Sequence, residues 1–517
     1  MRTATVTLAG LIAGMLTAGP AHPQDPVEAV REYRARHEGA IVSELREFLA
    51  IPNVAADLPN IRRNAETLVA MMGRRGVRAR ILETGGAPLV YGELGDPSLP
   101  TILFYCHYDG QPADPSKWSQ PDPWTPVLRT ASLEEGGREV ARWPAEGDRV
   151  PEAWRVYARS ASDDKAPILA LLRVLDAWQA AGVRPSNRIK FLFEGDEEAG
   201  SNYLAEMARR HRDLLSADLA VMADGPAHPS GRPTAVFGLR GIVTVTLTVY
   251  GPIRPLHSGH YGNWAPNPAI RLARLLATMK GADGEVLVEG WDADAAPLGA
   301  AERAALARYP HDDEAQRLQF QLGSLDGRGA TRMELIARPS LNVRGLRSLF
   351  VGEDARTLVP DAAVAELDLR LVAGNDPARQ VQKLVRHIER QGYHVVRAEP
   401  DSALRVRTPR VARVEAADGY PAGRTPLDHP AARALVEALG DAGLGEPVVI
   451  PTMGGSGPAY VFTEILETPF AVVPIVNHDN NQHAPNENVR VGNLFRGMEI
   501  LAAAASLRLE RSRAENP

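Results

Sequence analysis

Three short apolar runs constrain this chain most: Thr101 to Cys106, Ile189 to Phe193 and Leu219 to Ala223. Each is nearly unbroken and flanked by turn or polar residues, the pattern of a strand buried on both faces. Each ends at residues that carry chemistry, namely His107-Tyr108-Asp109, Glu194-Gly195-Asp196-Glu197-Glu198 and Asp224-Gly225. Reactive groups just beyond the carboxyl ends of strands are the general arrangement of open α/β sheets.

Between two of these runs, Pro167, Ile168, Leu171, Leu172, Leu175 and Trp178 follow helical spacing, with proline where a first turn tolerates it. Strand and helix therefore alternate, which predicts an α/β layer. From Gly241 the texture changes. Ile242 to Tyr250 and Ala363 to Leu371 alternate apolar with polar residues, as strands with one solvated face do.

At 517 residues the chain exceeds what one core usually organises. The expected fold is α/β, a larger domain with a mixed, mostly parallel sheet flanked by helices, interrupted by a smaller α+β domain. The expected divisions are 28–238 for the first part of the larger domain, 239–412 for the inserted domain and 413–505 for the second part. The segment 118–155 opens with prolines and reads as a loop followed by an extended hairpin.

A net charge of −6 and an isoelectric point near 6.2 give no basic footprint for nucleic acid. Residues 1–21 read as a secretory signal peptide: Met1-Arg2, an apolar stretch through Leu16, then small residues at Ala18 to Ala21. The stretch is shorter than the roughly 20 apolar residues a bilayer requires. Secretion, to a periplasm, with no membrane anchor after cleavage is the expectation. Cys106 is the single cysteine, so no intramolecular disulfide can form.

Two more segments carry metal-ligand residue types, Ser162-Asp163-Asp164-Lys165 and Gln482-His483-Ala484-Pro485-Asn486-Glu487. Imidazole nitrogen and carboxylate oxygen suit zinc and manganese. Taken singly, each segment has a plainer reading. His-x-Asp is a common triplet, an aspartate before Pro167 is good helix-capping chemistry, and Glu194 to Glu198 could be a solvated turn. The last reading weakens because so many like charges in a row call for a cation.

The order and flanks of the five segments resemble the aminoacylase/carnosinase/glutamate-carboxypeptidase family of dinuclear zinc peptidases, most closely its dipeptidase branch, from about residue 30 to 505. The resemblance implies two divalent ions per chain, zinc first, with manganese or cobalt as alternatives. It implies His107, Asp163 and Asp224 on one ion, and Asp163, Glu198 and His483 on the other, with Asp163 shared. Glu197 would be the general base and Asp109 an orienting carboxylate. His257, in Leu256-His257-Ser258-Gly259, would reach a neighbouring subunit's site, which implies a homodimer. Arg370 would grip a substrate carboxylate, with Asn342, Thr357 and Ser456 on the substrate side. Relatives usually carry glycine where Ala158, Ser160 and Ala166 stand, so a rearranged loop is expected there if those glycines serve positive φ.

The leading expectation is a metallopeptidase that hydrolyses an amide bond next to a free carboxylate in a small peptide, most readily a dipeptide. An N-acyl amino acid deacylase or a glutamate-type carboxypeptidase needs only a differently shaped pocket. A catalytically silent peptide- or metal-binding protein is the alternative of another class. A serine hydrolase fits less well, because Gly454-Gly455-Ser456-Gly457 lacks the nucleophile-elbow pattern.

Overall fold

The computed structural model describes residues 25–509. An eight-stranded mixed sheet runs in the order Arg78–Leu82, Leu89–Leu94, Arg188–Glu194, Thr101–His107, Leu219–Met222, Phe470–Val472, Thr234–Val236, Val448–Ile450. The four strands from Arg188–Glu194 to Phe470–Val472 are parallel.

The unbroken apolar runs are explained by helices on both faces. Ile102, Phe104 and Cys106 join a core with the helices Pro26–Leu49, Lys165–Ala181 and Val491–Ser506. Leu103 and Tyr105, pointing the other way, join a second core with Leu204, Met207 and Phe462. Each such side chain, withdrawn from water, contributes about 1.5–3 kcal/mol.

The register of these strands sets the site. His107 pairs with Glu194, and Tyr105 with Met222, so continuing that register by two residues puts Asp224 level with His107. Histidine, glutamate and aspartate thus emerge side by side from three adjacent parallel strands.

A second sheet has the order Ser340–Arg347, Ala362–Leu371, Gly238–Tyr250, Val411–Ala416, His394–Val396. The alternating residues sort as their pattern requires. Val243, Val245, Leu247 and Val249 pack with Leu367, Leu369 and the helices Pro268–Met279 and Pro377–Arg390, while Thr244 and Thr246 are half-exposed. Gly238–Tyr250 is one continuous strand. Its first residues pair with Gly423–Arg424 and Met453–Ser456, and its remainder pairs with Ala362–Leu371. Between the sheets' chain segments, Leu306 and Met333 pack into the first sheet's second core rather than against the second sheet.

Within the segment 118–155, residues 128–130 and 138–140 pair as a short antiparallel hairpin, with Thr130 N donating to Arg138 O at 2.9 Å and Val140 N to Leu128 O at 2.8 Å. Val127–Arg129 pairs with Arg155–Tyr157, which pairs with Asn488–Arg490, making a three-stranded sheet from two distant parts of the chain. Residues 1–21, read above as a signal peptide, lie outside the described residues. Among the described residues no helix is long and apolar enough to cross a membrane.

Candidate metal centre

Three of the expected ligands come from strand ends. His107 is buried at the end of Thr101–His107, and its Nε2 lies 2.8 Å from Asp163 Oδ1 and 4.0 Å from Asp224 Oδ2. The other oxygen of Asp163 lies 3.0 Å from His483 Nε2, which is also 3.2 Å from Glu198 Oε2. One carboxylate therefore faces both imidazoles. Gln111 and Gln482 complete the shell, donating to Glu198 Oε2 at 2.8 Å and to Asp163 Oδ2 at 2.6 Å.

Two groups have ligand atoms that all converge within 4.8 Å: His107 with Asp164 and Asp224, and Asp163 with Glu198 and His483. The second group is the one inferred from the resemblance. In the first, Asp164 takes the place given to Asp163. Asp164 does precede the helix Lys165–Ala181, but its side chain makes no capping hydrogen bond. Its Oδ1 is buried without a partner, and its Oδ2 accepts from the His107 backbone N–H at 3.4 Å. A carboxylate turned away from the helix end into a polar cluster is not a cap, and its free oxygen is open to a cation.

The electrostatics tell the same story. Asp109, Asp163, Asp164, Glu194, Glu197, Glu198 and Asp224 crowd together, and their recorded ion pairs are with histidine alone among the described residues. Burial, then the charge of Asp163, pushes Asp224 up to about 7. Burial also pushes Glu194 to about 8, against a hydrogen bond from Tyr105. Glu197 is raised by burial and then by the neighbouring carboxylates. Burial raises Asp163 as well, but the two imidazoles outweigh it and hold that carboxyl below its ordinary range. His483 is raised to about 10 by Asp163 and Glu198. Such a donor set, rich in negative charge and poor in counter-ions, fits divalent cations.

Asp109 does not face substrate space. It is fully buried and accepts the backbone N–H groups of Glu197 at 3.1 Å and Glu198 at 3.0 Å, while His107 Nδ1 lies 3.2 Å from its carbonyl oxygen. It therefore fixes the turn that aims two adjacent glutamates in different directions.

The expected loop rearrangement is confined to one residue. Of Ala158, Ser160 and Ala166, only Ser160 has positive φ, at 61°. Its hydroxyl accepts from Asn53 Nδ2 at 2.9 Å. A left-handed residue other than glycine costs about 1–2 kcal/mol, and a hydrogen bond returns about 0.5–1.5. Serine at this position is thus close to neutral. Asn53 itself, which also donates to Tyr108 O and accepts from Trp124, carried no motif signal.

Of the substrate-side candidates, Arg370 and Ser456 come together, with Nη1 donating to Oγ at 2.7 Å. Asn342, on the second sheet's strand Ser340–Arg347, and Thr357, just before the short strand Leu358–Val359, are both exposed. His257 is exposed too. Its Nδ1 accepts from Gly259 N, and its ring lies tilted by 37° against that of His260 with centroids 4.7 Å apart. None of its recorded contacts reaches the metal residues of the same chain.

A sequence profile of peptidase family M20/M25/M40 matches residues 103–507. The chain belongs to this family. Among curated relatives, the Beta-Ala-His dipeptidase of Homo sapiens is 25% identical over 95% of this chain and 94% of its own. The Cys-Gly metallodipeptidase DUG1 of Saccharomyces cerevisiae is 26% identical over 80% of this chain and 81% of its own. The solved M20 family metallo-carboxypeptidase Sso-CP2 of Sulfolobus solfataricus superposes with a TM-score of 0.73 at 27% identity, covering 90% of this chain and 98% of that one. This M20 chain is accordingly a hydrolytic, metal-dependent peptidase related to the dipeptidase branch, with the α/β architecture of the family. The expectation of secretion to a periplasm does not stand. The Cys-Gly metallodipeptidases among the relatives of this M20 peptidase give that location no support, and the residues on which it rested are not among those described.

Proposed function

We propose that this chain is a dipeptidase that binds two divalent ions and uses Glu197 as general base. The observation that carries this reading is the placement of Asp163 between two imidazoles, one from each ligand group. His107, Asp164 and Asp224 would hold one ion, and Glu198 and His483 the other, with Asp163 between them. Zinc is the first candidate, with manganese or cobalt as substitutes that the oxygen-rich set accommodates.

Such ions supply Lewis acidity and lower the pKa of a bound water to about 7. The chain's own residues do the rest. Glu197, largely shielded from solvent, takes a proton from the attacking water and delivers it to the leaving amine. Asp109 keeps Glu197 from swinging by anchoring its backbone. Arg370, held by Ser456, offers the planar fork that suits a terminal carboxylate. Asn342 and Thr357 belong to the same substrate side.

His257 acts on a second copy's site in this reading, as an oxyanion donor. What supports it is the exposed aromatic series that runs from that histidine through His260 and Tyr261 to Trp264, the last at 78% exposure. Monomers rarely leave such side chains clustered in water. The division into 28–238 with 413–505 and a 239–412 lid follows the same reading, with Leu306 and Met333 returned to the first body. Mixing inactive Glu197→Gln chains with inactive His257→Ala chains is expected to restore turnover in hybrid dimers. No recovery would remove His257 from the mechanism.

The decisive assay is amino acid release from free dipeptides, amidated dipeptides, longer peptides and N-acyl amino acids, with and without a chelator. Cleavage of free dipeptides that stops with chelator and returns with zinc is the expected outcome. Preference for acyl substrates would make the protein a deacylase instead. Arg370→Met is expected to lower kcat/KM on free dipeptides by about 10–100-fold, from the loss of about 1.5–3 kcal/mol of charged hydrogen bonding. It should leave the residual rate on amidated dipeptides unchanged, and an equal fall on both would show that Arg370 does not read the carboxylate.

A further inference from the structure

Glu487 is fully buried, yet it is no part of either ligand group. Its Oε1 accepts from Ser162 N at 2.9 Å, Ser162 Oγ at 2.9 Å and Asp163 N at 3.0 Å. Its Oε2 accepts from Ser160 N at 3.0 Å and Arg159 Nη1 at 2.7 Å. The Glu487 carbonyl oxygen also accepts from Ala158 N at 3.2 Å. An ionised carboxylate has about four lone-pair directions, so this one is saturated with donors from a single loop.

The loop it gathers ends in Asp163. Four residues before Glu487 stands His483, in the left-handed region at φ 61°. The same side chain therefore fixes the backbone of the shared carboxylate and, four residues beyond His483, ties the end of the turn that presents its imidazole partner to that loop. Gln482, in that turn, reaches Asp163 as well. A ligand pair drawn from chain segments more than 300 residues apart is held as one piece by one acceptor.

We propose that Glu487 is a positioning residue for the metal centre, holding Asp163 and His483 in ligating geometry before an ion arrives. This rests on the metal reading above. Only a carboxylate serves, because every donor points inward. In Glu487→Gln the amide would turn its own N–H groups against Asp163 N or Ser160 N and leave Arg159 without its counter-charge. Groups that orient ligands in this way typically cost metal sites about 10–100-fold in affinity when lost.

Cobalt(II) titration of chelator-treated full-length protein tests the proposal, read by the visible d–d bands and by chelator competition. Glu487→Gln is expected to bind cobalt about 10–100-fold more weakly with altered bands, and Glu487→Asp, which keeps the charge, to recover part of both. A residue that merely stabilises the fold would lower the melting temperature of the metal-free protein and leave band positions unmoved. Wild-type affinity and spectrum in a folded Glu487→Gln protein would overturn the assignment. If that variant does not fold, wild-type behaviour in Glu487→Asp, whose shorter arm cannot span both sets of donors, overturns it equally. Absence of cobalt bands in the wild-type protein would instead overturn the metal reading itself, and this inference with it.

Discussion

Glu197→Gln is expected to lower kcat by about 10²–10⁴-fold, the usual contribution of a positioned general base, while metal content stays at the wild-type level. The two effects separate because Glu197 contributes no atom to either convergent ligand group. Its backbone N–H would still bond Asp109 at 3.1 Å, so the turn that presents Glu198 survives the substitution. Glutamine fills the same volume and keeps an oxygen, but it cannot take a proton. Since the base acts only as the transition state forms, kcat and kcat/KM should fall together, with KM nearly constant. Metal analysis and dipeptide hydrolysis on the same sample decide the matter. Wild-type turnover in the glutamine variant would end the assignment of Glu197 as base.

Asp163→Ala should give the opposite pattern, loss of metal first and of activity as its result. Among the described residues Asp163 is the only carboxylate in contact with both imidazoles, at 2.8 Å and 3.0 Å, and it also receives Gln482 at 2.6 Å. Removing it takes a ligand from both proposed ions at once. The chelator-treated wild-type protein should gain about 4 kcal/mol of stability at zinc concentrations a thousandfold above its dissociation constant, seen as a rise in melting temperature. The alanine variant should gain almost none. A full zinc-dependent rise in the variant would mean that Asp163 is dispensable and that the two ligand groups are independent sites.

Much of this arrangement was legible in the chain itself. Continuous apolar runs ending in His107, Glu194 and Asp224 imply parallel strands with reactive ends, because only strands covered on both faces are apolar at every position. What was not legible depends on partners remote in sequence. Asp164 reads equally well as a helix cap, and only the direction of its carboxylate distinguishes the two roles. Glu487 lies in a recognisable segment, but its function is to collect backbone N–H groups, which no residue pattern announces. Asn53 is hidden for the same reason. The strand Arg155–Tyr157 acquires its meaning only from Asn488–Arg490, across more than 300 residues. Arg370 sits on the second sheet and His257 on a separate two-stranded pairing of Leu256–His257 with Leu358–Val359, and their service to the metal site is visible in sequence only through resemblance.

That three-stranded sheet also has a bearing on biosynthesis. Its outer strand, Asn488–Arg490, follows directly after His483 and Glu487, and all three are among the last described parts of the chain to be translated. The parallel strands carrying His107, Glu194 and Asp224 wait as well, because their sheet takes in Phe470–Val472 and their core takes in the helix Val491–Ser506, and domains fold as units. Scaffold and centre are therefore completed together, once the last described helix has been added.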